Sequence, residues 1–394
     1  MVFDFRLFWH ALAHSFSAPA NSTGRWTIKR FVAMMVFLPL YLISECFHWL
    51  GLLLDEILFP GYRKVEIRQP VFIVGVPRSG TTFLHRVLAL DERRFSCMKL
   101  WEVLFAPSIV EKKLYLALGA LDRVLGGPGK RLLIALEKRR FRELGKMHKL
   151  SLFEPEEDDP ILIHIFSSVF ISFAEPFPDL FRPLAVFDTE LPETDRTRIM
   201  GFYRACVQRH LYVFGKGRQF LSKNPAFSPK VESLNRTFPD CKIVCTVRDP
   251  GQVVPSLISL LSRFYGAFCD PPDPYPEREG ILELLDHWYR YPAERLKRWP
   301  EHRATFMVYD RLVAQPDAAI RELYGGFGFE LGEAFEAVLT RETEQARQYR
   351  SRHEYSLDRM GLDSGSLRER FADIYERFGF GESDTNAGVS RPLR

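Results

Sequence analysis

The sequence is poor in the groupings that announce metal sites, disulfide scaffolds or repeats. Its six cysteines, Cys46, Cys97, Cys206, Cys241, Cys245 and Cys269, form no C-x-x-C pair and match no zinc spacing. Cys241 and Cys245 flank an apolar run and are expected as small core residues. Nothing in this pattern calls for an oxidising compartment. His10 and His14 share a helix face, but no acidic third ligand lies near them, so no metal is expected. A charge excess of one sign is also missing. The chain has 54 Lys and Arg against 50 Asp and Glu, and a net charge of +4 gives no argument for nucleic acid. No segment repeats, and low complexity is confined to the polar tail after Gly381. What is present is a globular composition: 394 residues, 46% apolar and 26% charged. That length supports one large α/β domain or two ordinary ones with a self-sufficient core. The 34 phenylalanines read first as an aromatic-rich interior and second as an apolar binding pocket.

The most informative run is Val71-Phe72-Ile73-Val74-Gly75-Val76-Pro77-Arg78-Ser79-Gly80-Thr81-Thr82-Phe83-Leu84. It predicts a buried strand, a glycine turn and the first turn of a helix. Against the phosphate-loop pattern G-x-x-x-x-G-K-[ST], Gly75, Gly80 and Thr82 match, and Thr81 stands where lysine belongs. The turn and helix amides can still cradle a phosphate. The lysine that reaches the outer phosphates of a nucleoside triphosphate is gone, which points to a nucleotide with different chemistry.

This segment resembles the 5′-phosphosulfate loop of sulfotransferases that use 3′-phosphoadenosine-5′-phosphosulfate (PAPS), where Arg-Ser-Gly-Thr-Thr replaces the Gly-Lys-Ser of nucleotide kinases. The resemblance, to bacterial-type sulfotransferases with this loop, extends in scattered motifs over residues 60 to 380. It includes Val308-Tyr309-Asp310-Arg311-Leu312, Arg350 through Leu357 and Phe371 through Phe378. It implies a P-loop-like three-layer α/β fold, a central parallel sheet flanked by helices. It also implies PAPS as co-substrate, a hydroxyl acceptor and no metal. The Arg-Lys-Gly loop of the better-known cytosolic enzymes is absent, and Arg352 or His353 is a candidate to take its place at the 3′-phosphate.

Strand candidates at Gln219–Ser222, Lys242–Val247 and Ala304–Val308 alternate with helix-like sequence, as crossover connections in a parallel sheet require. Helices are expected over 81–90, 109–125, 130–144 and 195–214. The acidic stretch Glu154 to Asp159 reads as the cap of another helix. The expected organisation is an N-terminal helical segment over 1–64, a catalytic body over 65–380 and a flexible tail over 381–394.

Within the first segment, Phe31 to Leu54 is long and apolar enough for a bilayer span of about 20 residues. A span would place the N-terminus in the cytoplasm, because Arg25, Lys29 and Arg30 precede it while Asp55 and Glu56 follow. Against a span, Glu45 in mid-segment costs about 2.5–3.5 kcal/mol on insertion scales. A helix docked on the body or lying in the membrane interface is the other reading, with peripheral membrane contact as one outcome. The protein is expected in the cytoplasm, with or without such association; its oligomeric state is open.

In open α/β sheets, ligands bind outside the carboxyl ends of the strands. Three candidate strands end in polar residues: Arg78 through Thr82, Lys223-Asn224, and Arg248-Asp249. Arg78, Ser79, Gly80, Thr81 and Thr82 are the candidates for the 5′ side of the nucleotide. Arg248 can fork onto a phosphate, and Ser256 lies two helical turns later. The resemblance assigns both to the 3′-phosphate. Lys223 is a candidate to stabilise the leaving phosphate. For the base that takes the acceptor's proton, Glu102 is the first candidate on the resemblance and His148 the second. The alternative is a phosphate-loop nucleotide kinase or triphosphatase, disfavoured by Thr81. Asp249 is its only magnesium-binding candidate at the end of an apolar strand, and it directly follows an arginine.

Overall fold

The computed structural model of the chain describes residues 2–17, 23–140, 151–176, 178–215, 217–270, 278–347 and 362–381. Five strands form one sheet: β1 (Val71–Gly75), β2 (Phe95–Ser96), β3 (Gln219–Lys223), β4 (Lys242–Val247) and β5 (Ala304–Val308). Their order is β2-β3-β1-β4-β5 and every pairing is parallel. β1 is buried along its whole length, as a run of apolar and β-branched residues in a central strand should be. Its alternation divides it between two cores. Phe72 and Val74 join the larger cluster, while Val71 and Ile73 join a second one on the opposite face. This gives the expected three layers. β4 and β5 match the expected limits, and β3 runs one residue further; the two-residue edge strand β2 carried no sequence signal.

The chain goes to one side of β1 for β2 and β3 and to the other for β4 and β5. That reversal opens a crevice beyond the carboxyl end of β1, where ligands of such sheets bind.

Six helices come early, α1 (Phe5–Ser17), α2 (Ile28–Leu58), α3 (Thr81–Ala89), α4 (Leu100–Phe105), α5 (Ile109–Val124) and α6 (Pro128–Arg140), and two later ones, Pro250–Phe268 and Arg278–Leu296, also wall the site. Between α5 and α6, Gly126 and Gly127 take positive φ values of 86° and 76°, which close the turn of the hairpin. The helix expected over 195–214 spans Glu193–His210 and ends in a π turn at Leu211–Gly215.

α2 wears its pattern inside out. Four of its ionisable residues, Arg30, Glu45, His48 and Asp55, are buried against the body, while Lys29 at its start is exposed. Arg30 meets Glu175 at 3.0 Å, Glu45 meets His164 at 2.9 Å, His48 meets Glu111 at 2.6 Å, and Asp55 meets Arg209 at 2.9 Å. Burial alone would lower the His164 pKa, but the Glu45 carboxylate and the Val103 carbonyl outweigh it and raise the value. Asp55 also accepts the amides of Ile109 and Val110 at the start of α5. The charge that argued against a span is therefore a docking contact, and the helix lies on the body.

The acidic stretch departs from expectation. It leads into a 3-10 segment, Asp159–Ile165, rather than an α-helix, and Asp158 makes no side-chain cap. Distant partners account for this. Asp158 accepts from Tyr203, Ser222 and Asn224, and Asp159 pairs with Lys230 at 2.7 Å.

Candidate active site

The loop after β1 is shaped by backbone requirements. Gly75 has φ 132°, and a Cβ there would collide with the backbone carbonyl of Thr246 on β4. Gly80 has φ 87°, and a Cβ would sit 2.8 Å from the Tyr309 ring. Between them Arg78 adopts φ 69°, a conformation uncommon for a residue with a side chain and one that clusters at ligand clamps. Gly80 caps α3 and brings no side chain to its first-turn amides, so the helix N-terminus is left as a site for an anion.

Several of the sequence candidates come together here. Arg78 Nε donates to Ser256 Oγ at 2.9 Å, and Arg248 Nη1 donates to the Arg78 carbonyl at 3.0 Å. The Arg248 guanidinium stacks on Tyr309, 4.0 Å from the ring centroid, and also donates to Gln252 Oε1. Tyr289 donates to the Arg248 carbonyl at 2.6 Å. The ends of β1, β4 and β5 thus hold one hydrogen-bonded basic group. Tyr309, which extends the strand-end rule to β5, is not among the sequence-predicted site residues. Asp249 accepts from Tyr375 at 2.6 Å and from the Gly251 amide, so it serves as a helix cap.

Lys223 closes β3 with no exposed side-chain surface; its Nζ lies 2.8 Å from Glu157 and 4.0 Å from Glu156. Both glutamates line the same cavity as Arg78, Thr81, Thr82 and Arg248. Nearby, His85 on α3 is 1% exposed, and neither ring nitrogen has a hydrogen-bond partner. Burial first, and the Lys223 charge second, hold its pKa down at about 3.

Two candidates are placed differently, and a third is not among the described residues. Glu102 does not reach the cavity. It is 2% exposed, with one oxygen accepting the Lys99 amide in a capping box for α4 and the other 2.8 Å from His210 Nδ1. Burial pushes its carboxyl up, but His210, Lys112 and the Lys99 amide outweigh that and hold it below its ordinary value. Ser79 is fully buried and its hydroxyl bonds the Val76 carbonyl and Thr246 Oγ1, so it pins the loop rather than facing a ligand. His148, like Arg352 and His353, lies outside the described residues.

From the loop the cavity continues into an apolar chamber, about 970 Å³ in all. Phe8 and Leu12 of α1, Phe37 and Tyr41 of α2, and Phe170 and Phe264 deeper in the body are among its walls. The arrangement can hold a phosphorylated nucleotide at one end and an apolar molecule at the other.

Known proteins resemble this chain in sequence and in fold. The omega-hydroxy-beta-dihydromenaquinone-9 sulfotransferases Stf3 of Mycobacterium bovis and Mycobacterium tuberculosis are each 26% identical over 391 residues, covering 94% of this chain and 88% of the relative. The crystal structure of sulfotransferase STF1 from Mycobacterium tuberculosis H37Rv superposes with a TM-score of 0.69 at 19% identity, covering 93% of this chain and 92% of that one. Sulfotransferase STF9 from Mycobacterium avium gives 0.64 at 18% identity, over 95% and 86% of the two chains. A profile of the sulfotransferase family matches residues 70–333, and this chain, a transferase of sulfuryl groups, belongs to that family.

Proposed function

We propose that the chain moves the sulfuryl group of PAPS to the hydroxyl of a lipid-soluble alcohol held in the apolar chamber. The loop amides and Arg78 bind the 5′-phosphosulfate, with Thr81 and Thr82 beside them, and Arg248 with Ser256 takes the 3′-phosphate. Glu157 is the base in place of Glu102, whose oxygens are engaged by Lys99 and His210. As the acceptor oxygen bonds to sulfur, the bond from sulfur to the 5′-phosphate oxygen breaks and the hydroxyl proton passes to Glu157. Lys223, 2.8 Å from Glu157 and without exposed surface of its own, acts through that carboxylate, while the loop amides and Arg78 meet the charge that develops on the leaving adenosine 3′,5′-bisphosphate. No step needs a divalent ion. A cytoplasmic setting, where nucleotide donors are held, belongs to the same reading.

The observation that carries this proposal is the single cavity with a basic phosphate end and an aromatic apolar end. The curated relatives, whose name specifies a hydroxylated menaquinone, support an acceptor of that solubility. Thermal melting with ligands tests the donor. Adenosine 3′,5′-bisphosphate without metal should raise the melting temperature more than ATP with magnesium does. Stabilisation by magnesium-ATP alone rejects the reading.

A further inference from the structure

We propose that α2 and the α5–α6 hairpin form a docking face for an anionic lipid bilayer. From Phe31 to Leu53, every exposed residue of α2 is apolar, Pro39 and Cys46 included, because the ionisable side chains all point inward. Val36, Leu40, Ile43 and Phe47 are each more than half exposed. Such a face suits the acyl boundary of a membrane, into which interfacial helices sink about 5–10 Å.

The hairpin adds charge to this surface. It leaves the body where Asp55 holds the first amides of α5, next to the last turns of α2. Among its described residues only Ile109 and Lys112, at the start of α5, are buried; Tyr115 packs on Trp101 and Glu137 accepts the Leu152 amide further along. Between Tyr115 and Glu137, Leu118, Leu121, Val124 and Leu132 are exposed by half or more. Residues 109–140 carry eight Lys and Arg against three Asp and Glu, which leaves 46 basic and 47 acidic residues in the rest of the chain. Lys112 is buried; without it the hairpin still carries seven basic residues against three acidic ones, an excess equal to the chain's net charge of +4. That combination matches negatively charged head groups over acyl chains. It disfavours a second copy as the occupant, since a two-fold interface would bring two such hairpins of like sign together.

The chamber adjoins this face. Phe37, Leu38 and Tyr41 line it from α2, one turn or less from the exposed Val36 and Leu40. An acceptor dissolved in the bilayer would lie against a helix that is itself one wall of the chamber. This last step rests on the apolar-acceptor reading above; the docking itself does not.

Vesicle co-sedimentation of the full chain tests the proposal. Binding is expected to phosphatidylcholine vesicles containing phosphatidylglycerol and to be weaker with phosphatidylcholine alone. The double change Lys130→Glu/Arg131→Glu should lower partition onto the anionic vesicles by about tenfold or more. Leu118→Ser/Leu121→Ser should weaken binding to both, and neither variant should alter the melting shift given by adenosine 3′,5′-bisphosphate. A folded chain that ignores both vesicle types overturns the proposal. So does a dimer that the Leu118→Ser/Leu121→Ser variant dissociates. Sulfation of a long-chain alcohol placed in the vesicles should fall with binding, whereas that of a short soluble alcohol should not. If neither alcohol is sulfated while the vesicles are bound, the reaction assignment fails and the docking face stands.

Discussion

Replacing Arg248 with alanine tests the nucleotide assignment where the structure is most specific. The guanidinium stacks on Tyr309 and keeps donors near the mouth of the loop, while Nη1 props the Arg78 carbonyl at 3.0 Å. A hydrogen bond to a charged group contributes about 1.5–3 kcal/mol, so losing the contact to a 3′-phosphate should weaken adenosine 3′,5′-bisphosphate by roughly 10- to 150-fold. The same change also removes the prop under Arg78. That neutral-acceptor contact is worth about 1 kcal/mol, so 5′-AMP should weaken by no more than about tenfold. Titration calorimetry of both nucleotides, with circular dichroism to confirm folding, measures the difference. Ser256→Ala, which removes a single donor to the same charged phosphate, should show the same preference at about tenfold, the lower end of that range. Equal losses for the two nucleotides would refute the reasoning, because only one of them carries a 3′-phosphate.

Glu157→Gln should cut turnover by about 10²–10⁴-fold with nucleotide affinity nearly kept. Glu102→Gln should instead lower the melting temperature and leave turnover close to wild type, so steady-state kinetics on the pair tests the reassigned base. His85 gives a pH dependence: the folded state keeps it neutral down to about 3, whereas an unfolded chain protonates it near its ordinary 6.5. Its contribution to stability is therefore complete above pH 6.5 and falls on acidification, by about 1.4 kcal/mol per pH unit between those values. His85→Leu should flatten that acid limb in urea unfolding followed against pH; an unchanged limb counts against it. Asp55→Ala leaves the buried Arg209 with Glu56, 2.8 Å away, as its one carboxylate and frees two amides of α5, and should cost about 1–3 kcal/mol by denaturant unfolding.

How much could be read without coordinates followed the range of the interactions involved. The phosphate loop was legible because strand, turn and helix cap occupy one continuous string and the glycines answer to local φ requirements. β4 and β5 were legible for a similar reason, as apolar runs closed by polar residues at the strand ends. The burial of Glu102 was not legible, because its partners, His210 and the Lys99 amide, meet it only in the fold. The run from Glu154 to Asp159 looked like a helix cap since Lys223, Lys230 and Tyr203, which draw it into the body, lie at least 45 residues away. α2 stayed ambiguous on the same grounds. Arg30, Glu45, His48 and Asp55 look costly in an apolar segment until Glu175, His164, Glu111 and Arg209 are seen to meet them.

The most direct test supplies PAPS labelled in its sulfuryl group, with a series of primary alcohols of increasing chain length and a chelator to remove divalent ions. The account predicts label in organic-extractable sulfate esters, rising with chain length until the chamber is filled. Label that stays on the nucleotide or passes only to water with every alcohol, in protein that still binds adenosine 3′,5′-bisphosphate, would contradict it.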